Sequence, residues 1–288
     1  MNVGFVYQIQ IWRTLFFFQN KFYAIAHLIQ SKHLIVAIGS ECYVTLAKGQ
    51  IIPTQSAADR VDVPGGGHVL IVPITHYPTY STIPPDLAQP IIEETDMSAF
   101  SLILLLTQAV DISLVPRLKA SLSAMYAKFG CAVLFFEVGR LSFKGGHAHV
   151  QAVPIPLRLK DKIEETFLKE GRAQGIDFEE DPDAAMASCA NGRGSYFKVD
   201  LPDGRKMVHL LKDHIPFSIQ FGRYGFNSFL WSFSVKHHCF PSELRQVLVG
   251  LLGMPNRLDW KACMLSEEED SADAQAFKNA FAPYNPSL

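Results

Sequence analysis

The amino-acid sequence predicts an α+β protein built on an antiparallel sheet. Five short runs rich in β-branched and apolar residues end at glycine or proline, which is typical of strands. They are residues 33–38, 42–47, 68–72, 132–138 and 149–155. Two more runs, at 195–201 and 206–211, flank Pro202-Asp203-Gly204. Because Asp-Gly tolerates positive φ, these two runs predict a hairpin.

Helical spacing of apolar residues separates these strands. The segments concerned are residues 118–128, 161–173 and 267–281. Ser266, followed three residues later by Glu269, indicates a capping box at the start of the last helix. A further helix is expected to begin near Ser81, and residues 177–183 predict an acidic, solvated loop.

Composition excludes several classes of protein. The chain has 26 basic and 28 acidic residues and is 48% hydrophobic, which excludes a mainly disordered chain and disfavours whole-surface attraction to nucleic acid. Five scattered cysteines without a CxxC fit a reducing compartment. The apolar stretch at residues 3–29 is interrupted by polar side chains and lacks signal-peptide features, so we expect a soluble protein without a membrane span.

The most informative motif is His147-Ala148-His149-Val150-Gln151. On a strand, alternate side chains share a face, so His147, His149 and Gln151 would form a row with neighbours about 6.5 Å apart. Such a row suits a phosphate chain, and the preceding Gly145-Gly146 would let a ligand approach the backbone. The alternative is structural: one imidazole caps a loop and the other is half exposed.

Together with His68-Val-Leu-Ile-Val-Pro73 and His76, this motif resembles the histidine-triad (HIT) superfamily. Its H-x-H-x-Q form looks like that of galactose-1-phosphate uridylyltransferase. The wider sequence resembles the two C-terminal CwfJ domains of CWF-nineteen-like splicing factors. The segments that carry this likeness are residues 33–49, 66–78, 135–156, 192–223 and 252–286.

The resemblance implies a HIT-like antiparallel sheet with a long helix in residues 33–158, followed by a smaller α+β second CwfJ domain in residues 159–288. Three stretches depart from the family pattern: residues 1–32, about 97–116 and about 224–245. We hypothesise that they are translated intron or alternative-start sequence. RNA reads that cross both internal junctions as continuous coding message at full abundance would refute this.

The resemblance also assigns roles to the motif. His149 matches the histidine that attacks the α-phosphorus in catalytic members, and Gln151 matches the glutamine that supports a phosphate oxygen. The phosphate-binding set would be His147, His149, Gln151, Gly146 and Lys144, with Arg140 as a further source of positive charge. Because an amide cannot protonate a leaving group, Gln151 favours transfer or binding over hydrolysis.

His76 and His147 match zinc ligands of uridylyltransferase-like relatives, in which a CxxC supplies the other two ligands. This chain has no cysteine before Cys42. Since a structural zinc needs four ligands, we expect neither zinc nor another cofactor, and a first domain less stable than that of zinc-binding relatives.

The function implied by the resemblance is that of an accessory pre-mRNA splicing factor in the nucleus. It would associate with late spliceosomes or excised lariat introns and with the lariat-debranching enzyme, and contact with RNA is compatible with this. The metallophosphoesterase-like domain of full-length relatives is not expected here. The alternative is an active nucleotidyl hydrolase or transferase with His149 as nucleophile, and a third reading is a non-functional product of a faulty gene model.

Other candidates are weaker on sequence grounds. Adjacent residues point apart on a strand, so His237-His238-Cys239 makes a poor ligand cluster. His209 and His214 fit satisfied structural histidines, and Asn191-Gly-Arg-Gly194 fits a turn.

Overall fold

The computed structural model describes residues 32–54, 62–84, 118–141, 146–173, 175–212 and 243–285. Within these ranges, seven strands form one sheet, and every neighbouring pair is antiparallel. The strands are β1 (Ile35–Ile38), β2 (Cys42–Leu46), β3 (Val69–Pro73), β4 (Cys131–Gly139), β5 (Val150–Pro156), β6 (Ser195–Asp200) and β7 (Lys206–Leu211). Their order across the sheet is β1-β2-β3-β5-β4-β6-β7.

Helices pack around this sheet. They are α1 (Leu118–Lys128), α2 (Ile163–Ala173), α3 (Pro182–Ser188), α4 (Glu243–Leu251) and α5 (Glu267–Phe281). Short 3₁₀ turns connect the elements at Lys32–Leu34, Tyr80–Thr82, Leu157–Lys162, Ala190–Gly192, Pro255–Arg257 and Ala282–Tyr284. Across the described ranges, each helix is too short or too polar to cross a membrane.

The predicted fold class is confirmed: the chain is an α+β protein with an antiparallel sheet. The predicted hairpin is also present, with Gly204 at φ 89° in its turn. Ser266 and Glu269 form the predicted capping box of α5. The acidic segment differs from prediction at its end, because Asp181 caps α3 by accepting from the backbone N–H groups of Asp183 and Ala184.

The sheet runs through both predicted domains. Strand β4 pairs with β5 on one side and with β6 on the other, where Phe135 lies opposite Asp200. Residues after 158 therefore add β6 and β7 to the sheet of the first part. The domain limits themselves stay a prediction, and most of the three stretches set apart, including residues 97–116 and 224–242, lies outside the described residues.

A turn of three glycines joins the C-terminal helix to the sheet. Gly65, Gly66 and Gly67 all have positive φ, between 70° and 85°, a conformation that favours glycine. A Cβ atom at Gly65 would lie 2.2 Å from the backbone oxygen of Asp273 in α5, so only glycine allows this close approach. The Tyr126 hydroxyl of α1 donates to the Gly67 carbonyl at 2.6 Å. The turn thus contacts two helices, α1 and α5, just before the start of β3.

Buried charge links α1 to the sheet. Lys119 is 6% exposed, and its Nζ lies 2.7 Å from Oδ2 of Asp200 at the end of β6. Lys198 lies 3.2 Å from the other carboxylate oxygen. Burial acts to raise the pKa of Asp200, but the two lysines outweigh it and hold that pKa below its usual value.

We predict that Lys119→Met destabilises the fold by about 3 kcal/mol, because Asp200 keeps its charge and loses the closer of its two lysines. The free energy of unfolding in urea measures the change. Lys206→Met is the matched control, since Lys206 forms an exposed ion pair with Asp183 and its loss should cost less than about 1 kcal/mol. Equal effects of the two substitutions would contradict the prediction. Adding Asp200→Asn to Lys119→Met should recover part of the loss.

Candidate functional site

The histidine motif lies where the chain enters β5. The strand itself begins at Val150, so His147 and His149 precede it. Ala148 and Val150 are 3% and 5% exposed, as expected for the core-facing side of the alternation, whereas His147 and His149 are partly exposed. The entry segment is held by the loop after β3, because the backbone N–H of Ala148 donates to the Tyr77 carbonyl at 2.7 Å.

His149 has a defined tautomer. Its Nδ1 lies 2.8 Å from the carbonyl oxygen of His147. Since a carbonyl oxygen can only accept, the hydrogen is on Nδ1, and in the neutral ring the lone pair is on Nε2. A neutral imidazole with one nitrogen fixed in this way suits a hydrogen-bond acceptor or a nucleophile.

His147 is tied to the backbone of β3. Its Nε2 donates to the Pro73 carbonyl at 2.9 Å, so this nitrogen fastens the entry segment to the end of β3. Burial, with added contributions from His76 and His149, lowers the pKa of His147 to about 3. His147 is therefore neutral near pH 7.

His76 is the neighbour of His147 in the loop after β3. The centroids of the two rings are 4.7 Å apart, and burial lowers the pKa of His76. The two positions that resemble zinc ligands thus lie side by side. Among the described residues, however, no group of three or more His, Cys, Asp or Glu side chains is placed to hold a metal ion. Two imidazoles do not make a structural zinc site, so the donor set in the described part of the chain does not fit zinc.

Gln151 differs from the expected exposed row. It lies within β5, opposite Leu70 of β3 and Phe136 of β4, and is only 3% exposed. Its Oε1 lies 3.0 Å from Nε2 of His68. Gln151 is therefore buried, and its partner is His68. From the sequence, His68 was expected only as the first residue of a strand.

Gly146 has no structural need to be glycine. Its φ is outside the left-handed region, and an added Cβ would meet no atom closer than the Pro78 oxygen at 3.7 Å. The space beside the Gly146 backbone is therefore open to within 3.7 Å. Arg140 follows β4 and is partly exposed, while Lys144 lies outside the described residues.

Glu137 of β4, which sequence reasoning missed, anchors the loop that carries His76. Its Oε1 accepts from the backbone N–H of Tyr80 at 3.1 Å and from the Tyr196 hydroxyl at 2.8 Å. Burial raises the pKa of Glu137. An isolated glutamate inside an apolar strand was the available signal, since such a residue needs partners when buried. Tyr196 belongs to β6, so the later part of the chain helps to position the loop of the earlier part.

The weaker candidates lie apart from this cluster or outside the described ranges. His209 donates from Nδ1 to the Asp177 carbonyl, which is the satisfied role expected of it. Asn191 and Gly192 form a turn with φ of 58° and 71°. His214 and the segment 237–239 lie outside the described residues.

The chain is thus an antiparallel α+β protein with three imidazoles, those of His76, His147 and His149, close together where the central strand β5 begins. The family model described as "Protein similar to CwfJ C-terminal" matches residues 19–102 and 106–168, about half of the chain. The chain belongs to this family. The match includes residues 19–32 and most of 97–116, which the sequence analysis had set apart.

Several curated proteins are similar along most of the chain. CWF19-like protein mug161 of Schizosaccharomyces pombe is 29% identical over 264 residues, which cover 92% of this chain and 38% of that protein. CWF19-like protein 1 of Xenopus laevis is 30% identical over 260 residues, covering 89% of this chain and 37% of that protein. Zinc finger CCCH domain-containing protein 59 of rice (Oryza sativa) is 27% identical over 263 residues, which cover 88% of this chain and 33% of that protein. The chain thus spans little more than a third of the length of these relatives.

We predict that the purified chain carries well below one zinc ion per molecule, because His76 and His147 lack further described ligands. Elemental analysis by mass spectrometry measures the metal content. Incubation with EDTA should leave the midpoint of thermal unfolding unchanged. Zinc near one ion per chain, lost together with stability on chelation and abolished by His76→Ala, would contradict the prediction.

Proposed function

We propose that this chain is an accessory factor of pre-mRNA splicing that acts in the nucleus on late spliceosomes or excised lariat introns and assists the lariat-debranching enzyme. Membership of the CwfJ family supports this proposal, as does similarity to CWF19-like proteins over about nine-tenths of the chain. The sequence resemblance links such proteins to splicing.

The proposed contact with RNA is a phosphate site at the start of β5. The NH₂ group of the Gln151 amide would donate to a phosphate oxygen of an RNA end, and Nε2 of His149 would accept from a protonated oxygen of the same phosphate. Gly146 would give access and Lys144 would add charge. His147 would hold the entry segment through its hydrogen bond to Pro73. The observation that supports the site is the hydrogen bond from His149 Nδ1 to the His147 carbonyl, because it leaves the lone pair of the neutral ring on Nε2.

The same bond favours one alternative, an active nucleotidyl transferase. In that reaction the Nε2 lone pair of His149 attacks the α-phosphorus, a P–N bond forms, and the P–O bond to the leaving group breaks with its electron pair on the leaving oxygen. Water or an acceptor hydroxyl then attacks the phosphorus and gives its proton to solvent, while the P–N bond breaks and its electron pair returns to Nε2. Solvent must supply the proton of the leaving group, because the Gln151 amide is not an acid.

Binding of adenosine 5′-monophosphate and turnover of adenosine 5′-phosphoramidate separate the two functions. We expect the chain to bind adenosine 5′-monophosphate measurably by calorimetry. We expect His149→Ala to weaken that binding roughly tenfold, because one hydrogen bond between the phosphate and Nε2 is lost. His209→Ala is the matched control, since His209 also donates from Nδ1 to a backbone carbonyl but lies on β7. Phosphoramidate turnover that His149→Ala abolishes would establish the enzyme instead. Equal loss of binding in the two variants would contradict the site.

RNA crosslinking tests the splicing role. In cells that express the tagged full chain, crosslinked and sequenced RNA should be enriched in intron sequence and in reads that cross lariat branch points, relative to mature exons. The His149→Ala variant should recover less of this RNA than His209→Ala at equal expression. Recovery of introns no greater than that of an unrelated tagged protein would overturn the proposal.

A further inference from the structure

A chain of hydrogen bonds runs through the core behind the proposed phosphate site. Gln50 donates from Nε2 to the Gly65 carbonyl at 2.9 Å, and its Oε1 accepts from the backbone N–H of His68 at 3.1 Å. The backbone N–H of Ile51 points at Nδ1 of His68, at 3.3 Å. Nε2 of His68 then meets Oε1 of Gln151 at 3.0 Å. Gln50, His68 and Gln151 are all at most 5% exposed.

Backbone groups fix which atom donates and which accepts in this series of hydrogen bonds, because a backbone N–H cannot accept. A backbone N–H only donates, so Nδ1 of His68 must accept from Ile51 and the hydrogen of the neutral ring is on Nε2. Nε2–H can only donate, so the atom of Gln151 that faces it must be the oxygen. The remaining group of the Gln151 amide, the Nε2 donor, is then on the side away from His68. This assignment follows from the partners and does not depend on how the amide was built.

We propose that His68 is a positioning residue that holds the Gln151 amide with its NH₂ group, rather than its oxygen, directed to a bound phosphate. A glutamine amide that could rotate by 180° would present its oxygen to the anion for part of the time. That orientation repels phosphate. By occupying the oxygen, His68 keeps the donor toward the ligand before the ligand arrives. The proposal rests on the phosphate site of the preceding subsection.

Two substitutions of His68 separate this role from a general contribution to the fold. The Oδ1 of asparagine falls near the position of Nδ1, so His68→Asn keeps an acceptor for Ile51 and loses the contact with Gln151. The Nε2 of glutamine falls near the position of the imidazole Nε2, so His68→Gln keeps a donor for Gln151 and loses the acceptor for Ile51. Each variant removes one buried hydrogen bond and should therefore weaken folding to a similar degree.

Calorimetry with adenosine 5′-monophosphate distinguishes His68→Asn from His68→Gln. We expect His68→Asn to weaken binding roughly tenfold and His68→Gln to stay within about threefold of the wild type, since only the first frees the amide to turn. In a Gln151→Ala background, His68→Asn should have no further effect on binding, because it acts through the amide that is no longer present. Equal losses in the two variants, or an undiminished effect of His68→Asn beside Gln151→Ala, would overturn the proposal.

Nitrogen NMR of the wild-type histidine rings gives a test that needs no ligand and no folded variant. His68 should show a protonated Nε2 and an unprotonated Nδ1; the opposite tautomer would overturn the proposal. The outcomes also separate this inference from the site on which it rests. No binding of adenosine 5′-monophosphate by the wild-type chain removes the phosphate site and the inference together, whereas wild-type binding that His68→Asn leaves unchanged removes the inference alone.

Discussion

The arrangement of the candidate site depends on one hydrogen bond that the backbone imposes, from the N–H of Ile51 to Nδ1 of His68. This bond sets the tautomer of a buried ring, and the ring in turn orients the amide of Gln151. Next to it lies the turn of Gly65, Gly66 and Gly67, whose positive φ angles and close contacts exclude a side chain; at Gly65 the contact is with α5. Buried polar groups held by hydrogen bonds of this kind are rigid, and rigidity is what the proposed phosphate site would require.

The loop beside the site is held from both parts of the chain. Glu137 of β4 bonds to Tyr80 in the loop and to Tyr196 of β6, and β6 extends the sheet that begins with β1. Since β4 is the strand that both parts share, a change in β6 can reach the loop through a single carboxylate. Without β6, Glu137 would lose the Tyr196 hydroxyl, one of its two partners. The later part of the chain therefore contributes to the site although it supplies none of the site's histidines.

Local sequence signals were sufficient for the seven described strands and for three of the five described helices, but not for α3, for α4 or for the environment of the site. Glycine and proline limits marked the strands to within about two residues, and Ser266 with Glu269 marked the start of α5, because turns and caps are set by neighbours in the chain. The alternation of His147, His149 and Gln151 was likewise local. The burial of Gln151 was not, since it follows from β3 and β4 pairing on either side of β5. The link to His68, 83 positions away, has no local signature.

A buried amide at position 151 also bears on the choice between binding and catalysis. A phosphoryl transfer through His149 produces a leaving oxygen that needs a proton, and neither neighbour of His149 in the motif can give one. His147 has its pKa lowered to about 3 and is neutral near pH 7, with Nε2–H engaged by the Pro73 carbonyl, and the Gln151 amide is not acidic. The groups that present hydrogen-bonding atoms are neutral and held in place, His149 by the His147 carbonyl and Gln151 by His68. Such a set stabilises a phosphate that stays bound more readily than one that must release a poor leaving group, so we favour recognition of an RNA phosphate over turnover.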